Sequence, residues 1–459
     1  MRKAVIVLAA ALTVATLPGA QAGSPVMRRS EPTSVVAVID TGINPYHVVF
    51  RDDSRRAFEH PSTYIDGFPK DAEALRISLN EKDYWTALHK DCDLWNKVKP
   101  GQLYWFPGTK IVGGITFSEG AQPLSCTERT IVDGRIIDAG AHGTMTASRA
   151  VGNGYGACPE CRVVAVQGFS VESVRWAAKN ADWIDAQSNS WGPTFPLWTP
   201  TGAGGLLFND PEFVRTVEDT AKKHLAFWAS GNGTLTRFGL IGHPTPLDPR
   251  MTPSVVMVGG HDSGYVTLWP DFPPHVVSDA CNSWAAYHDQ TKKSADSVGG
   301  GTSGATPFAA GGAGRILIEA RRILGDDSTG VTKGVAARGR AGLVSRGPLK
   351  DGKFTLDEWK EVLFKTASAR PKRQEEDGSV CDAISGLVLY SSLPVTWEQV
   401  PQGYPEYLHI GYGAVDAPAV NLAFDVLAGK AEMPDRSATD DYFETDRTVR
   451  EELHRIYRG

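Results

Sequence analysis

The chain has 459 residues, with 53 Asp and Glu against 47 Lys and Arg and a formal net charge of −6. That mild acidity leaves no basic footprint for nucleic acid. Past the amino terminus no segment is long and apolar enough to span a membrane, and length alone admits two or three domains.

At the amino end, Arg2-Lys3 precede an apolar stretch from Ala4 to Leu17, and Ala20-Gln21-Ala22 forms a small-residue cleavage site. A charged start, a short apolar run and small residues mark a secretory signal peptide. A membrane anchor competes, but the run falls short of the ~20 residues a spanning helix needs. Residues 1–22 are therefore expected to be removed, leaving a secreted, extracellular chain with no stable membrane anchor. Six cysteines follow, Cys92, Cys126, Cys158, Cys161, Cys281 and Cys381. An even count outside the cytoplasm points to disulfides. Cys158-Pro159-Glu160-Cys161 also has the spacing of a redox or half-zinc motif, but neither a thioredoxin-like pattern nor a second close Cys or His pair accompanies it.

Val35-Val36-Ala37-Val38-Ile39-Asp40-Thr41-Gly42 is a β-branched, apolar run ending in an acid and a glycine turn. Such a run reads as a strand buried on both faces, as in a parallel sheet. The acid at its carboxyl end stands where open α/β sheets bind ligands, although capping the next element is an equal use for it. Residues 51–130 carry Trp85, Trp95, Tyr104, Trp105 and Phe106. These are expected to form the core of a small subdomain, with an extended cleft or a partner surface as the alternative. In Gly140-Ala141-His142-Gly143-Thr144-Met145-Thr146-Ala147-Ser148 a His among glycines opens a helix of small residues. Strand-like Val163–Val166 and Val255–Val258 alternate with helix-like segments, the pattern of a parallel sheet with helices on both faces.

Gly300-Gly301-Thr302-Ser303-Gly304-Ala305-Thr306-Pro307 sets a serine at the mouth of another small-residue helix. Glycines permit a sharp turn and a close backbone approach. The first helical turn offers unpaired N–H donors and a partial positive charge, and Pro307 comes early enough to be tolerated. Capping is the ordinary job of such a serine; a nucleophile also needs a base. Residues 325–354 are rich in Gly, Lys and Arg and read as a solvated loop. Thr355-Leu356-Asp357-Glu358 has capping-box spacing, with Trp359, Val362 and Leu363 as an apolar stripe behind it. Residues 370–405 read as a further insertion. In the charged tail 431–459, Val449, Leu453, Ile456 and Tyr457 form a helical stripe expected to dock on the domain surface.

Taken together, these blocks resemble the subtilisin-like serine peptidases (subtilases). The Asp motif matches as Val38-Ile39-Asp40-Thr41-Gly42-Ile43, the His motif as His142-Gly143-Thr144, and the Ser motif as Gly301-Thr302-Ser303 with Ala305-Thr306-Pro307. Asp, His, Ser is the chain order given for subtilisin. Ala229-Ser230-Gly231-Asn232-Gly233 resembles the family's oxyanion block, and Gln187-Ser188-Asn189-Ser190-Trp191-Gly192 its cleft-lining strand. Gly411-Tyr412-Gly413-Ala414-Val415-Asp416-Ala417 resembles its closing segment.

The resemblance implies an α/β, subtilisin-like fold with a mainly parallel central sheet, helices on both faces, and insertions. It implies one catalytic domain over residues 23–430, with insertions at about 51–130 and 325–405, and a tail from 431 to 459. The implied activity is a serine endopeptidase cutting extended polypeptide through an acyl-enzyme, with Asp40, His142 and Ser303 catalytic. Asn232 and the Ser303 N–H would form the oxyanion hole; Ser190, Trp191, Gly192, Ala229, Ser230 and Gly231 would bind substrate by strand addition. No cofactor is required. Calcium is common in the family, but no loop here has the ligand spacing to assign a metal site.

Gly304 replaces a common Met, Ala141 a common Gly and Met145 a frequent second His, none of which removes a catalytic atom. The separation of Asp40 from His142 is long for the family, and that of His142 from Ser303 is ordinary. The loop around Cys158 and Cys161 resembles a family turn, so those two are expected to bridge it. Cys92–Cys126 and Cys281–Cys381 are the favoured remaining pairs among about fifteen pairings. Only residues 23–33 separate the signal from the first strand, so folding without a covalent propeptide is expected. The alternative is a non-catalytic secreted binding protein on a degenerate subtilase scaffold. A Gly-x-Ser-x-Gly elbow and a His-Glu-x-x-His zinc motif are both missing, which argues against an esterase and a zinc peptidase.

Overall fold

A computed structural model describes residues 31–118, 124, 126–127, 135–138, 142–191, 211–230, 255–262, 265–266, 274–280, 284–286, 296–298, 300–326, 330–331, 334–337, 344–369, 395–396 and 410–458. The proposed signal peptide, Gly192, Gly231, Asn232, Cys281 and Cys381 lie outside them.

The apolar run forms β1 (Val35–Asp40), buried along its whole length. It pairs in parallel with β5 (Arg162–Gln167) on one side and β6 (Ala186–Asn189) on the other. Parallel pairing continues from β6 to β7 (Leu225–Ala229), β8 (Val256–Asp262) and β10 (Val276–Asp279), and from β5 to β4 (Ile111–Thr116). The edges depart from this rule: β3 (Tyr104–Trp105) is antiparallel to β4, and β9 (Tyr265–Val266) to β8. The short β2 (Glu73–Ala74) adds beside β3. A last two-residue strand, β11 (Val395–Thr396), pairs antiparallel with β9, so the path runs β11-β9-β8-β7-β6-β1-β5-β4-β3-β2, with β10 also on β8.

Alternation along β1 divides the core in two. Val36 and Val38 face α3 (His142–Val151), α6 (Thr302–Leu324), α7 (Leu356–Thr366) and α8 (Ala417–Leu427); Val35, Ala37 and Ile39 face α4 (Val171–Lys179) and α5 (Pro211–Ala221). Both faces of the sheet at β1 are thus covered by helices, which is why that strand is apolar from Val35 to Ile39. Small residues on α6 let it approach α3 closely: a Cβ on Gly311 would lie 2.4 Å from the Ala150 carbonyl oxygen.

The 51–130 aromatics do not build a core of their own. Trp95 and Phe106 are fully buried, and with Trp85 and Tyr104 they join the core on the α3 side of the sheet; Trp105 joins the other. Two short helices, α1 (Tyr84–Lys90) and α2 (Cys92–Trp95), pack there, and the Tyr46 hydroxyl links the Trp95 indole to Asp91 at 2.8 Å each. Residues 325–354 are likewise more than a solvated loop, because Val331, Val335 and Leu349 are buried. Set among glycines, alanines, a proline and charged residues, these few apolar side chains make no sustained periodic run.

The capping box forms as read: the Glu358 N–H donates to Thr355 Oγ1 at 3.2 Å, the Thr355 N–H to Glu358 Oε2 at 2.8 Å, and Trp359, Val362 and Leu363 are buried. Disulfides join Cys92 to Cys126 and Cys158 to Cys161. The tail is a single helix, α9 (Ser437–Arg458), held through its first turns. Phe443 packs 4.7 Å from His275 and 5.3 Å from Tyr412, and the Tyr412 hydroxyl donates to Asp440 at 2.6 Å. The side chains of Val449, Leu453, Ile456 and Tyr457 lie outside the described residues. None of the described helices is long and apolar enough to cross a membrane.

Candidate active site

Parallel strands end together, so β1, β5 and β6 bring their last residues to one edge. Asp40 closes β1, in register with Gln167 of β5, and Ile39 is in register with Asn189 of β6. Only 1% of Asp40 is exposed. Its Oδ1 accepts the Thr41 N–H at 2.8 Å and lies 2.7 Å from His142 Nδ1, while Oδ2 accepts the Thr146 hydroxyl at 3.2 Å. His142 opens α3, and its side chain remains 34% exposed. A buried carboxylate thus orients an imidazole that still faces outward.

Burial disfavours the charged imidazole. The charge and hydrogen bond of Asp40, with the charge of Asp138 behind them, outweigh that penalty and hold the His142 pKa above the ordinary 6.5. Asp138 belongs to the site by contact: its Oδ1 accepts the Thr41 hydroxyl at 2.7 Å, and its Oδ2 accepts the Thr144 N–H at 2.7 Å and hydroxyl at 2.5 Å. Thr41 Oγ1 in turn accepts the Gly143 N–H at 2.9 Å. This second buried acid pins the Asp loop to the first turn of α3. Its sequence signal is slight, one acid after Ile136-Ile137 and four residues before His142.

Gln167 is a second hub. Its amide donates to the carbonyls of Thr41 at 2.8 Å and Ile137 at 2.9 Å, and accepts the Ile136 N–H at 2.6 Å. Ile136 is held at φ 73°, a left-handed conformation that is costly for a β-branched residue. Three bonds from one buried side chain secure that turn beside the candidate site.

Ser303 is the second residue of α6, entered through Gly301 at φ 73°, a conformation glycine adopts without strain. Its hydroxyl donates to the Ser190 carbonyl at 3.2 Å, and the Ser190 hydroxyl donates to the Ser303 carbonyl at 2.8 Å. Ser190 follows the end of β6, so Ser303 sits at the sheet edge that carries Asp40. No hydrogen bond joins Ser303 to His142 among the described residues. The structure therefore pairs Asp40 with His142 and places the Ser303 hydroxyl on a backbone carbonyl.

The other expected site residues divide. β6 is flanked by β1 and β7, so the strand offers no free edge, and strand addition there is limited to residues beyond Asn189. Ser190 is buried and engaged with Ser303. The Trp191 ring packs against Phe169, Phe213 and Trp228 at 5.3, 5.9 and 5.0 Å, and its carbonyl accepts the Trp228 indole N–H. Ala229 and Ser230, at the end of β7, are buried. No group of three or more His, Cys, Asp or Glu side chains converges as metal ligands among the described residues.

The sequence profile of the subtilase family (Peptidase_S8) matches residues 32–325. The chain is similar to the solved prenylagaramide maturation protease PagA, at 14% identity over 86% of this chain and 95% of that one, with a TM-score of 0.40. It is similar to the epidermin leader peptide processing serine protease EpiP of Staphylococcus aureus, at 13% identity over 88% and 78%, with a TM-score of 0.46. A cold adapted subtilisin-like serine proteinase is similar at 15% identity over 76% and 86%, with a TM-score of 0.38. No curated protein matches.

Proposed function

This chain belongs to the subtilase family, and from that premise we propose that it is a secreted serine endopeptidase with Asp40, His142 and Ser303 as its catalytic triad. The observation that carries the reading is the 2.7 Å contact between His142 Nδ1 and buried Asp40. That contact fixes the imidazole with Nε2 as the free base, the arrangement a serine nucleophile requires. The proposal requires the Ser303 hydroxyl to leave the Ser190 carbonyl and come under that base.

Ser303 Oγ then attacks the peptide carbonyl carbon while its proton passes to His142 Nε2. The carbonyl oxygen gains negative charge and is met by the Ser303 N–H, at the positive end of α6, and by the Asn232 side chain. Collapse breaks the C–N bond, His142 returns its proton to the leaving amine, and an acyl-enzyme remains on Ser303. Water, deprotonated by His142, hydrolyses that ester and restores the serine. Asp40 keeps the imidazole oriented and stabilises its cation throughout. Calcium has no part in this scheme, and secretion rests on the reading of residues 1–22.

A fluorophosphonate probe tests the proposal. Labelling at Ser303 that disappears in His142→Ala supports the enzyme. Folded protein that takes no label favours the non-catalytic binding protein, the reading to which the Ser303–Ser190 hydrogen bond lends some weight.

A further inference from the structure

Arg149 is fully buried on α3, the helix that His142 opens, in the small-residue run Ala147-Ser148-Arg149-Ala150-Val151. Its Nε donates to the Gly304 carbonyl at 3.3 Å and its Nη2 to the Asp279 carbonyl at 2.6 Å, with Asp279 Oδ2 at 3.7 Å. The guanidinium lies 4.6 Å from the centre of the Phe308 ring, and Nη1 has no hydrogen-bond partner among the described residues. A buried cation with an unpaired donor is costly. Its position adds to that cost, because the amino end of α6 already carries the positive end of the helix dipole.

Both ends of the serine's turn are tied to the end of β10. The Gly301 N–H donates to the Ala280 carbonyl at 2.9 Å, and Gly304 reaches Asp279 through Arg149. Ser303 lies between these two anchors, with Ser190 on its other side. A cation there becomes favourable when negative charge develops at Ser303, in a setting with little water to screen it.

Building on the proposed peptidase reading, we propose that Arg149 is a positioning residue for Ser303, holding the Gly301–Gly304 turn from behind and favouring the anionic tetrahedral intermediate. It does not touch substrate; it acts through the Gly304 carbonyl and through its charge.

The test is saturation kinetics of fluorophosphonate labelling, with kinact and KI measured separately and melting temperature recorded for each variant. Arg149→Met is expected to lower kinact on the order of 100-fold with KI within about twofold, and Arg149→Lys to recover about tenfold of that loss. Where Arg149→Met does not fold, Arg149→Gln replaces it as the neutral variant. Lysine and neutral variants equally slow, in step with their melting temperatures, would overturn the inference by making Arg149 purely structural. Variants that label as fast as wild type overturn it too, while wild-type labelling leaves the peptidase reading intact. Folded wild type that takes no label sinks both.

Discussion

Ser190 and Ser303 are bonded to each other twice, each hydroxyl donating to the other's backbone carbonyl, at 2.8 Å from Ser190 and 3.2 Å from Ser303. The pair ties the chain just past β6 to the first turn of α6. One of its two bonds holds the backbone of the proposed nucleophile; the other must break before the hydroxyl can be deprotonated.

Replacing Ser190 separates those two effects. Ser190→Ala removes the bond to the Ser303 carbonyl and keeps the carbonyl that accepts the Ser303 hydroxyl. A stability loss of about 1 kcal/mol is expected from a single buried hydrogen bond, with slower labelling at Ser303. Thermal melting and labelling rates check this; unchanged values in both would show that the bond from the Ser190 hydroxyl holds nothing.

The raised pKa of His142 sets the pH dependence. Proton removal needs the neutral imidazole, so labelling is expected to rise with pH through a midpoint above 6.5. Asp40→Asn removes the main raising influence and should move that midpoint down. Stability has the opposite sign. With the folded pKa above the unfolded one, the contribution is full below the unfolded value and disappears as pH rises through the folded one. An NMR titration of His142 in both proteins reads the two midpoints directly.

Far from the site, Asp185 and Arg321 form a fully buried pair with contacts of 2.7 and 2.9 Å. Asp185 also accepts the N–H of Val35 at 2.9 Å and of Gly330 at 2.7 Å, and Arg321 donates to the Thr33 carbonyl at 2.6 Å. The pair thus clamps the start of β1 to the last turns of α6. Asp185→Ala leaves a buried cation without its counterion and is expected to cost about 3–5 kcal/mol. Urea unfolding of this variant and of Asp185→Leu with Arg321→Met tests the cause, since the double apolar replacement is expected to regain much of the loss.

The two disulfides are expected to differ in worth. Cys92 and Cys126 are 34 residues apart, and Cys158 and Cys161 only 3. Loop-closure entropy then assigns about 4 kcal/mol to the first and about 1.5 kcal/mol to the second. Denaturation of the two Cys→Ser double variants, measured separately, compares them; equal losses would place the larger part of either contribution in the native state.

Local chemistry carried much of this protein in plain view. The run from Val35 to Asp40 announced a strand buried on both faces, and each of its faces meets helices. Thr355 and Glu358 marked a helix start by their spacing, and the capping box is there. Asp40 and His142, far apart in the chain, were legible as partners through resemblance, and they touch. These features depend on residues a few positions apart or on short motifs, which a linear reading can see.

Asp138, Gln167 and Arg149 gave such a reading little or nothing to work on, as did the buried Val331, Val335 and Leu349. Each is one residue with no periodic company, and its role comes from groups that only folding brings near: Thr41 for Asp138, Ile137 for Gln167, Gly304 for Arg149. The rotamer of Ser303 belongs to the same class, because Ser190, 113 residues away, competes for its hydroxyl. Motifs point to the proposed reacting groups, but hydrogen-bond partners and burial depend on distance in space, which spacing along the chain does not encode.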